Sequence, residues 1–248
     1  MKILISESQY KKLIQEEEEE NIFRVPRIEF FHKDIWEAWQ ILQKILERRG
    51  NPPYSIGGDL DLINTPIESL GNLTSVGGSL NLEFTPIKTL GNLTTVNRAL
   101  ILGNTPIESL GNLQSVGGYL DLRKTQIKSL ENLEYIGSDL YLVGTPIESL
   151  GNLQSVGRDL SLYETQIESL GNLQSVGRDL NLYETQIESL GNLQSVGGDL
   201  ELFGTPIKSL GNLKSVGGFL NLPETPLSTM YTKKQIRDIV NVGGDIFL

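Results

Sequence analysis

The sequence contains no cysteine and only one histidine, His32. Without cysteine, the chain can form neither disulfides nor thiolate metal sites, and this lack is typical of a reducing compartment. A lone histidine leaves no cluster of His, Cys and Asp at metal-ligand spacing. The glycines follow a regular turn pattern and form no phosphate loop. We therefore predict no metal, no other cofactor and no catalytic residue, and we interpret His32 as incidental.

Long apolar runs are also missing. The first residues contain only Ile3, Leu4 and Ile5 as a continuous apolar run, which is too short for the hydrophobic region of a signal peptide. No stretch approaches the roughly 18 apolar residues of a membrane-spanning helix. These absences predict a soluble intracellular protein without a membrane partner.

Basic residues are scarce relative to acidic ones. The chain has 21 Lys and Arg against 31 Asp and Glu, which gives a formal charge of −10. Nucleic-acid binding through phosphate contacts needs clustered Lys and Arg, so this balance argues against a nucleic-acid partner. An acidic field attracts a basic partner instead.

The chain does contain a strict repeat of twenty residues. A unit reads LxLxxTPIxSLGNLxSVGGx, and residues 154–173 and 174–193 differ only at Ser161 and Asn181. The Leu-x-Leu motif recurs at Leu60/Leu62, Leu80/Leu82, Leu100/Leu102, Leu120/Leu122, Leu140/Leu142, Leu160/Leu162, Leu180/Leu182, Leu200/Leu202 and Leu220/Leu222. Because alternate side chains of a strand share one face, each motif predicts a short strand with both leucines inward.

Each unit, which we call a coil, has turns where glycine clusters, as at Gly71 and at Gly77–Gly78. One coil cannot bury its apolar face alone, but coils stacked about 4.8 Å apart can bury one continuous core. The inward positions of the first coil are Leu60, Leu62, Ile67, Leu70, Leu73 and Val76. The repeat therefore predicts a solenoid of about nine to ten coils.

This pattern resembles the leucine-rich-repeat family, whose strand signature is LxxLxLxxNxL. Residues 77–87, GGSLNLEFTPI, match that signature from Leu80 onward, and residues 56–60, IGGDL, are similar to the related receptor L domains. Glycine stands where the family has its leading leucine, and threonine stands where it has asparagine. The resemblance covers about residues 56–227. It implies an α/β, mainly β, right-handed superhelix with extended or single-turn structure opposite the strands.

The two ends of the repeat predict helical caps. Asp34, with Glu37 three residues later, resembles the start of a capped helix that ends at Gly50. Thr232 and Gln235 predict a second short helix, and residues 242–248 restate the VGGxLxL pattern as a closing strand. We divide the chain into a flexible acidic leader (1–21), an N-terminal helical cap (22–55), the solenoid (56–228) and a C-terminal cap (229–248). Trp36 and Trp39 fit the packing of this N-terminal cap, with a binding site as the alternative.

The leader is similar to the N-terminal segments of tailed-phage proteins. Ile14, Gln15 and Glu16 resemble the cleavage motif of phage head-maturation proteases, so Glu16 is a candidate processing site. A disordered tail is the alternative interpretation. The expected location is the cytoplasm of a bacterial host cell, or a virion.

The solvent-facing positions of the strands are the variable columns of the repeat. Their second half is acidic and aromatic, and we predict partner binding there, at Tyr119, Asp139, Tyr141, Asp159, Tyr163, Asp179, Tyr183, Asp199 and Phe203. Exposed aromatic residues on a rigid face are typical binding hot spots. The alternatives are aromatic stacking that only stabilises the sheet and aspartates that only cap their own glycine turns. Arg158 and Arg178 are expected to neutralise part of the aspartate column.

Threonine recurs nine times, from Thr65 to Thr225. An inward hydroxyl that bonds the backbone is the favoured interpretation, and an outward ice-binding array is the alternative. We predict a non-catalytic protein-binding scaffold with a protein partner, possibly basic. A virion-associated spacer of a tailed phage and an aspartate-based carbohydrate-active enzyme, with Asp159 and Asp179 reactive, are the alternatives. The sequence leaves the oligomeric state open.

Overall fold

A computed structural model of the chain describes residues 22–163 and 165–248. The described chain is a mainly β parallel solenoid, as predicted, with α-helices only near its ends. The helices are α1 (Ile35–Arg48), α2 (Pro226–Met230) and α3 (Lys233–Ile239), and a short 3-10 helix spans Ile28–Phe30. Described residues between 61 and 225 are extended or in turns, so the side opposite the strands has no helix. Twenty residues are too few to add one.

Two parallel sheets run the length of the stack, with strands numbered in chain order. The first, which we call the Val sheet, contains β1 (Phe23–Val25), β2 (Tyr54–Ile56), β4 (Leu73–Val76), β6 (Thr95–Val96), β8 (Ser115–Val116), β10 (Tyr135–Ile136), β12 (Ser155–Val156), β14 (Ser175–Val176), β16 (Ser195–Val196), β18 (Ser215–Val216) and β20 (Asn241–Val242). The sequence pattern did not predict this sheet as a separate element.

The second sheet, the Leu sheet, carries the Leu-x-Leu motifs. Its strands are β3 (Leu60–Asp61), β5 (Leu80–Asn81), β7 (Leu100–Ile101), β9 (Leu120–Asp121), β11 (Leu140–Tyr141), β13 (Leu160–Ser161), β15 (Leu180–Asn181), β17 (Leu200–Glu201), β19 (Leu220–Asn221) and β21 (Ile246–Phe247). In the regular coils each strand residue pairs with the residue twenty positions later in the chain, as Leu160 does with Leu180. Equivalent side chains therefore stack in columns.

The predicted coil count is too high. Leu60 and Leu220 are separated by eight intervals of twenty residues, which gives about eight complete turns. The chain reaches the final strand, β21, by a longer path, because the two cap helices lie between β19 and β21 in the sequence. Leu220 therefore pairs with Ile246 and not with a residue twenty positions later. The prediction counted strands, and a stack has one more strand than it has turns.

The core lies between the two sheets and the opposite wall. The leucines of the Leu-x-Leu motifs are at most 1% exposed. Thr65 and its eight repeats also point inward, since each hydroxyl donates to the carbonyl oxygen of the leucine three residues earlier at 2.6–2.8 Å. The inward column excludes the ice-binding alternative, which needs outward threonines.

The front of the stack is closed by α1 and β1. Asp34 accepts a hydrogen bond from the backbone N–H of Glu37 at 2.9 Å, as its spacing predicted, and the helix ends before Gly50. Trp39 is buried and Trp36 packs partly against the core, which agrees with cap packing. β1 adds one further parallel strand to the Val sheet.

The back of the stack is closed by α2, α3 and the last two strands. Thr232 and Gln235 form a complete capping box at the start of α3. Arg237 then ties this helix to the final coil, because its guanidinium donates to the carbonyl oxygens of Val242 at 2.7 Å and Gly244 at 2.8 Å. Helix α2 is an addition to the predicted elements.

Removal of residues 241–248 is expected to destabilise the stack, because it takes away β20 and β21 and uncovers Val216, Leu220 and Leu222, which are at most 1% exposed. At about 1.5–3 kcal/mol for each buried side chain, the loss is roughly 5 kcal/mol. Thermal denaturation followed by circular dichroism would measure it. Phe247→Ala, which removes an exposed side chain, is the control. An unchanged melting temperature in the truncated chain would contradict a structural role for this end.

Candidate functional site

The outer surface of the Leu sheet, which we call the strand face, contains three columns of outward-facing residues, most of them half-buried or exposed. Position 1 precedes the first leucine of a motif, position 2 lies between the two leucines, and position 3 follows the second. These positions alternate with buried leucines, so they share one side of the sheet. The predicted site residues occupy position 1 (Tyr119, Asp139, Asp159, Asp179, Asp199), position 2 (Tyr141) and position 3 (Tyr163, Tyr183, Phe203).

The aspartates of position 1 bond to the next coil. Asp179 Oδ1 accepts from the backbone N–H of Asp199 at 2.8 Å, and Asp199 Oδ1 accepts from that of Phe219 at 2.7 Å. Asp139 and Asp159 make the same bond at 3.2 and 3.1 Å. The alternative interpretation, in which each aspartate only caps its own glycine turn, is therefore wrong. The bond reaches the neighbouring strand, because a parallel stack brings that N–H directly alongside the carboxylate.

Arginine lies beside the first two aspartates of this column and glycine beside the last two. Arg158 Nε lies 3.9 Å from Asp139 Oδ1, and Arg178 Nε lies 3.7 Å from Asp159 Oδ1. Both are loose surface pairs, which contribute little to stability. The residues that take the same place beside Asp179 and Asp199 are Gly198 and Gly218. A Cβ added to either glycine would collide with the aspartate carboxylate, which explains the shorter backbone bonds there.

Aromatic rings on the strand face pack in three groups. Tyr163 lies 5.3 Å from Tyr183, and Tyr183 stacks on Phe203 with ring centroids 5.0 Å apart and planes 7° from parallel. Tyr119 meets Tyr141 edge-on at 6.1 Å. Tyr141 and Tyr163 are each 39% exposed, so these rings stabilise one another and still present surface to a partner.

A third group, which the sequence analysis missed, lies at the C-terminal end. Phe219 and Phe247 are each 45% exposed and meet edge-on at 5.9 Å. The signal in the sequence was Phe219 itself, which interrupts the run of aspartates at position 1.

An ion pair between a buried carboxylate and an exposed arginine in the middle of the strand face was also missed. The carboxylate of Asp121 is 5% exposed and holds Arg123 through two bonds, Nε to Oδ1 at 2.9 Å and Nη2 to Oδ2 at 2.6 Å. The guanidinium carbon of Arg123 lies 5.5 Å from the ring centroid of Tyr141. The hydrogen bond to Asp121 raises the pKa of Arg123. The spacing of Asp121 and Arg123, two residues apart on one face, was the available signal.

The aspartates of position 1 affect the pKa of Tyr141. Burial raises the pKa of its phenol, and the negative charges of Asp139 and Asp159 raise it further, whereas Arg123 and Arg158 lower it. The phenolate is disfavoured because it would add a negative charge beside two carboxylates.

Other features lie away from this face or outside the described chain. In residues 22–163 and 165–248, no group of three or more His, Cys, Asp or Glu side chains is placed to hold a metal ion. No helix within these ranges has the length and apolarity to cross a membrane. His32 lies in the N-terminal cap, 3.3 Å from Glu37. Glu16, the candidate processing site, and the rest of the leader lie outside the described residues.

Comparisons of the chain with protein-family models, with curated proteins and with solved structures find no match.

Two replacements of Asp179 separate the hydrogen bond that its carboxylate accepts from the negative charge that it carries. Asp179→Ala removes the bond to the Asp199 N–H, and we expect the free energy of unfolding to fall by about 1.5–3 kcal/mol, as is typical of a hydrogen bond to a charged group. Asp179→Asn keeps an acceptor oxygen and should lose less than half as much. Urea denaturation would measure both. Equal losses would show that charge, and not the backbone bond, is what stabilises the column.

Tyr141 should titrate above the ordinary tyrosine range. The absorbance of phenolate near 295 nm, recorded as a difference between the wild type and Tyr141→Phe, would isolate its titration. Asp139→Asn removes a negative charge and should lower the pKa of Tyr141, whereas Arg123→Ala removes a positive charge and should raise it. Shifts in the opposite directions would contradict the arrangement of charges described here.

Proposed function

We propose that this chain is a leucine-rich-repeat protein that acts as a non-catalytic scaffold, binding a basic protein partner on its strand face. The observation that supports this proposal most directly is the aromatic stack of Tyr163, Tyr183 and Phe203 on a regular sheet. The stack is fixed by the sheet register before any partner arrives, so little side-chain freedom is lost on binding.

The charges of the same face favour a basic partner. Position 1 contributes four successive carboxylates from Asp139 to Asp199, and arginine pairs with only the first two. The chain as a whole has a formal charge of −10. Such a field accelerates encounter with a cationic surface and makes the association sensitive to salt.

The enzymatic alternative has less support. Asp159 and Asp179 were its reactive residues, and each accepts a backbone hydrogen bond from the next coil. This bond gives both carboxylates a structural role.

The binding proposal predicts loss of a partner from one defined variant. The wild type, immobilised and exposed to bacterial lysate, should retain a protein that elutes as salt is raised. A variant with Tyr141, Tyr163, Tyr183 and Phe203 changed to alanine should lose it, because the anchoring rings are gone. The control changes Tyr135, Met230 and Ile239 to alanine, since these exposed side chains are 46%, 59% and 59% accessible and lie in the Val sheet and the C-terminal cap.

Circular dichroism must first show that all three proteins fold alike. A partner kept by the four-residue variant and lost by the control would move the site away from the strand face. Failure of the wild type to retain any protein from lysates of suitable hosts would favour the spacer alternative.

A further inference from the structure

The strand face contains the same acid–aromatic arrangement twice. In each case an aspartate is followed twenty residues later, in the same column, by an aromatic residue: Asp121 by Tyr141 at position 2, and Asp199 by Phe219 at position 1. Neighbouring strands of one sheet place each carboxylate beside the ring that follows it.

The first arrangement holds a guanidinium. Arg123 is bonded through two nitrogens to Asp121 and lies against the face of Tyr141. A planar guanidinium suits this setting, because it can bond a carboxylate with two parallel N–H groups while stacking on a ring.

The second arrangement has an acid in place of that arginine. The residue two positions after Asp199 is Glu201, whereas the residue two positions after Asp121 is Arg123. Glu201 Oε2 accepts from Asn221 Nδ2 at 2.5 Å. A second carboxylate therefore lies in the column next to that of Asp199, and the chain supplies no cation of its own from this position.

The residue beside Asp199 supplies no cation either. Asp139 and Asp159 have Arg158 and Arg178 beside them, but Asp199 has Gly218. Asp199 Oδ1 accepts from the N–H of Phe219 and lies where a Cβ of Gly218 would be, so the remaining acceptor of this carboxylate is Oδ2.

The cations that pair with the strand face in the described residues are arginines. All three cation–carboxylate pairs described on this face use arginine, namely Arg123, Arg158 and Arg178. The two described pairs made by lysine, Lys128 with Glu148 and Lys208 with Glu188, lie in a different segment of the coil.

We infer that Asp199, Glu201 and Phe219 form a seat for an arginine side chain supplied by the partner. The guanidinium bonds the Asp199 carboxylate and lies against the Phe219 ring, as Arg123 does with Asp121 and Tyr141. This inference rests on the proposed function, because it names the residue by which a basic partner is anchored.

A fluorescein-labelled Gly-Ser peptide carrying three arginines, and its twin carrying three lysines, would test the seat by fluorescence anisotropy at low salt. We expect the arginine peptide to bind the full chain about tenfold more tightly than the lysine peptide, since lysine cannot bond a carboxylate with a planar fork. Equal binding of the two peptides would overturn the preference for arginine.

Two variants test the position of the seat. Asp199→Asn keeps an acceptor for the Phe219 N–H but removes the charge, and Phe219→Ala removes the ring. Asp199→Asn should weaken binding of the arginine peptide about tenfold by loss of the charged bond. Phe219→Ala should weaken it about threefold by loss of the contact between the guanidinium and the ring. Glu168→Gln, at an exposed site on another side of the coil, is the charge-matched control and should change binding less than twofold.

The outcomes separate this inference from the proposed function. Arginine-selective binding that survives Asp199→Asn and Phe219→Ala would show that the seat is elsewhere. Failure of both peptides to bind would overturn the seat, whereas capture from lysate decides the strand-face proposal on its own. Circular dichroism of both variants excludes misfolding as the cause of lost binding.

Discussion

The structure depends on parallel strands that pair residue by residue at a fixed spacing of twenty. A parallel sheet sets neighbouring strands about 4.8 Å apart, so every coil must return to the same place after the same number of residues. Inward columns then fill a continuous core. Gly177, Gly197 and Gly217 show how little space separates neighbouring coils. A Cβ on any of them would collide with the carbonyl oxygen of the glycine one coil earlier. Nearly identical coils, such as residues 154–173 and 174–193, can meet the requirement one after the other without disturbing their neighbours.

The same spacing creates a problem for charged columns. Four aspartates in register place like charges on adjacent strands, which is destabilising when nothing compensates. The backbone provides the compensation: each carboxylate accepts an N–H from the next coil, and arginine pairs with Asp139 and Asp159 in addition. A hydrogen bond to an ionised acceptor is stronger than one between neutral groups, so the column stabilises the stack despite its charge.

The sequence predicted the features that follow from periodicity. The solenoid, the inward leucines, the threonine hydroxyls, Asp34 at the start of α1 and the capping box of Thr232 all depend on spacing along the chain, which a sequence displays directly. It did not reveal which N–H each aspartate would meet, because that partner belongs to the next coil and depends on the vertical offset between strands. The pairing of Asp121 with Arg123, the third aromatic group and the Val sheet were missed for a related reason. Each depends on the direction of a side chain or on pairing between coils, and a sequence shows neither of these directly.

Neutralisation of the aspartate column is uneven along the axis, and this gives the strand face a direction. Arginine accompanies Asp139 and Asp159, whereas glycine accompanies Asp179 and Asp199. The aromatic stack crosses this boundary, since Tyr163, Tyr183 and Phe203 pack in succession on three neighbouring coils. Uncompensated charge therefore increases toward the C-terminal end, while apolar contact area stays available along the way. If the proposed function holds, we expect a cationic partner to be drawn first to that end and the stacked rings then to hold it, so that charge sets the orientation and aromatic contact sets the lifetime of the complex.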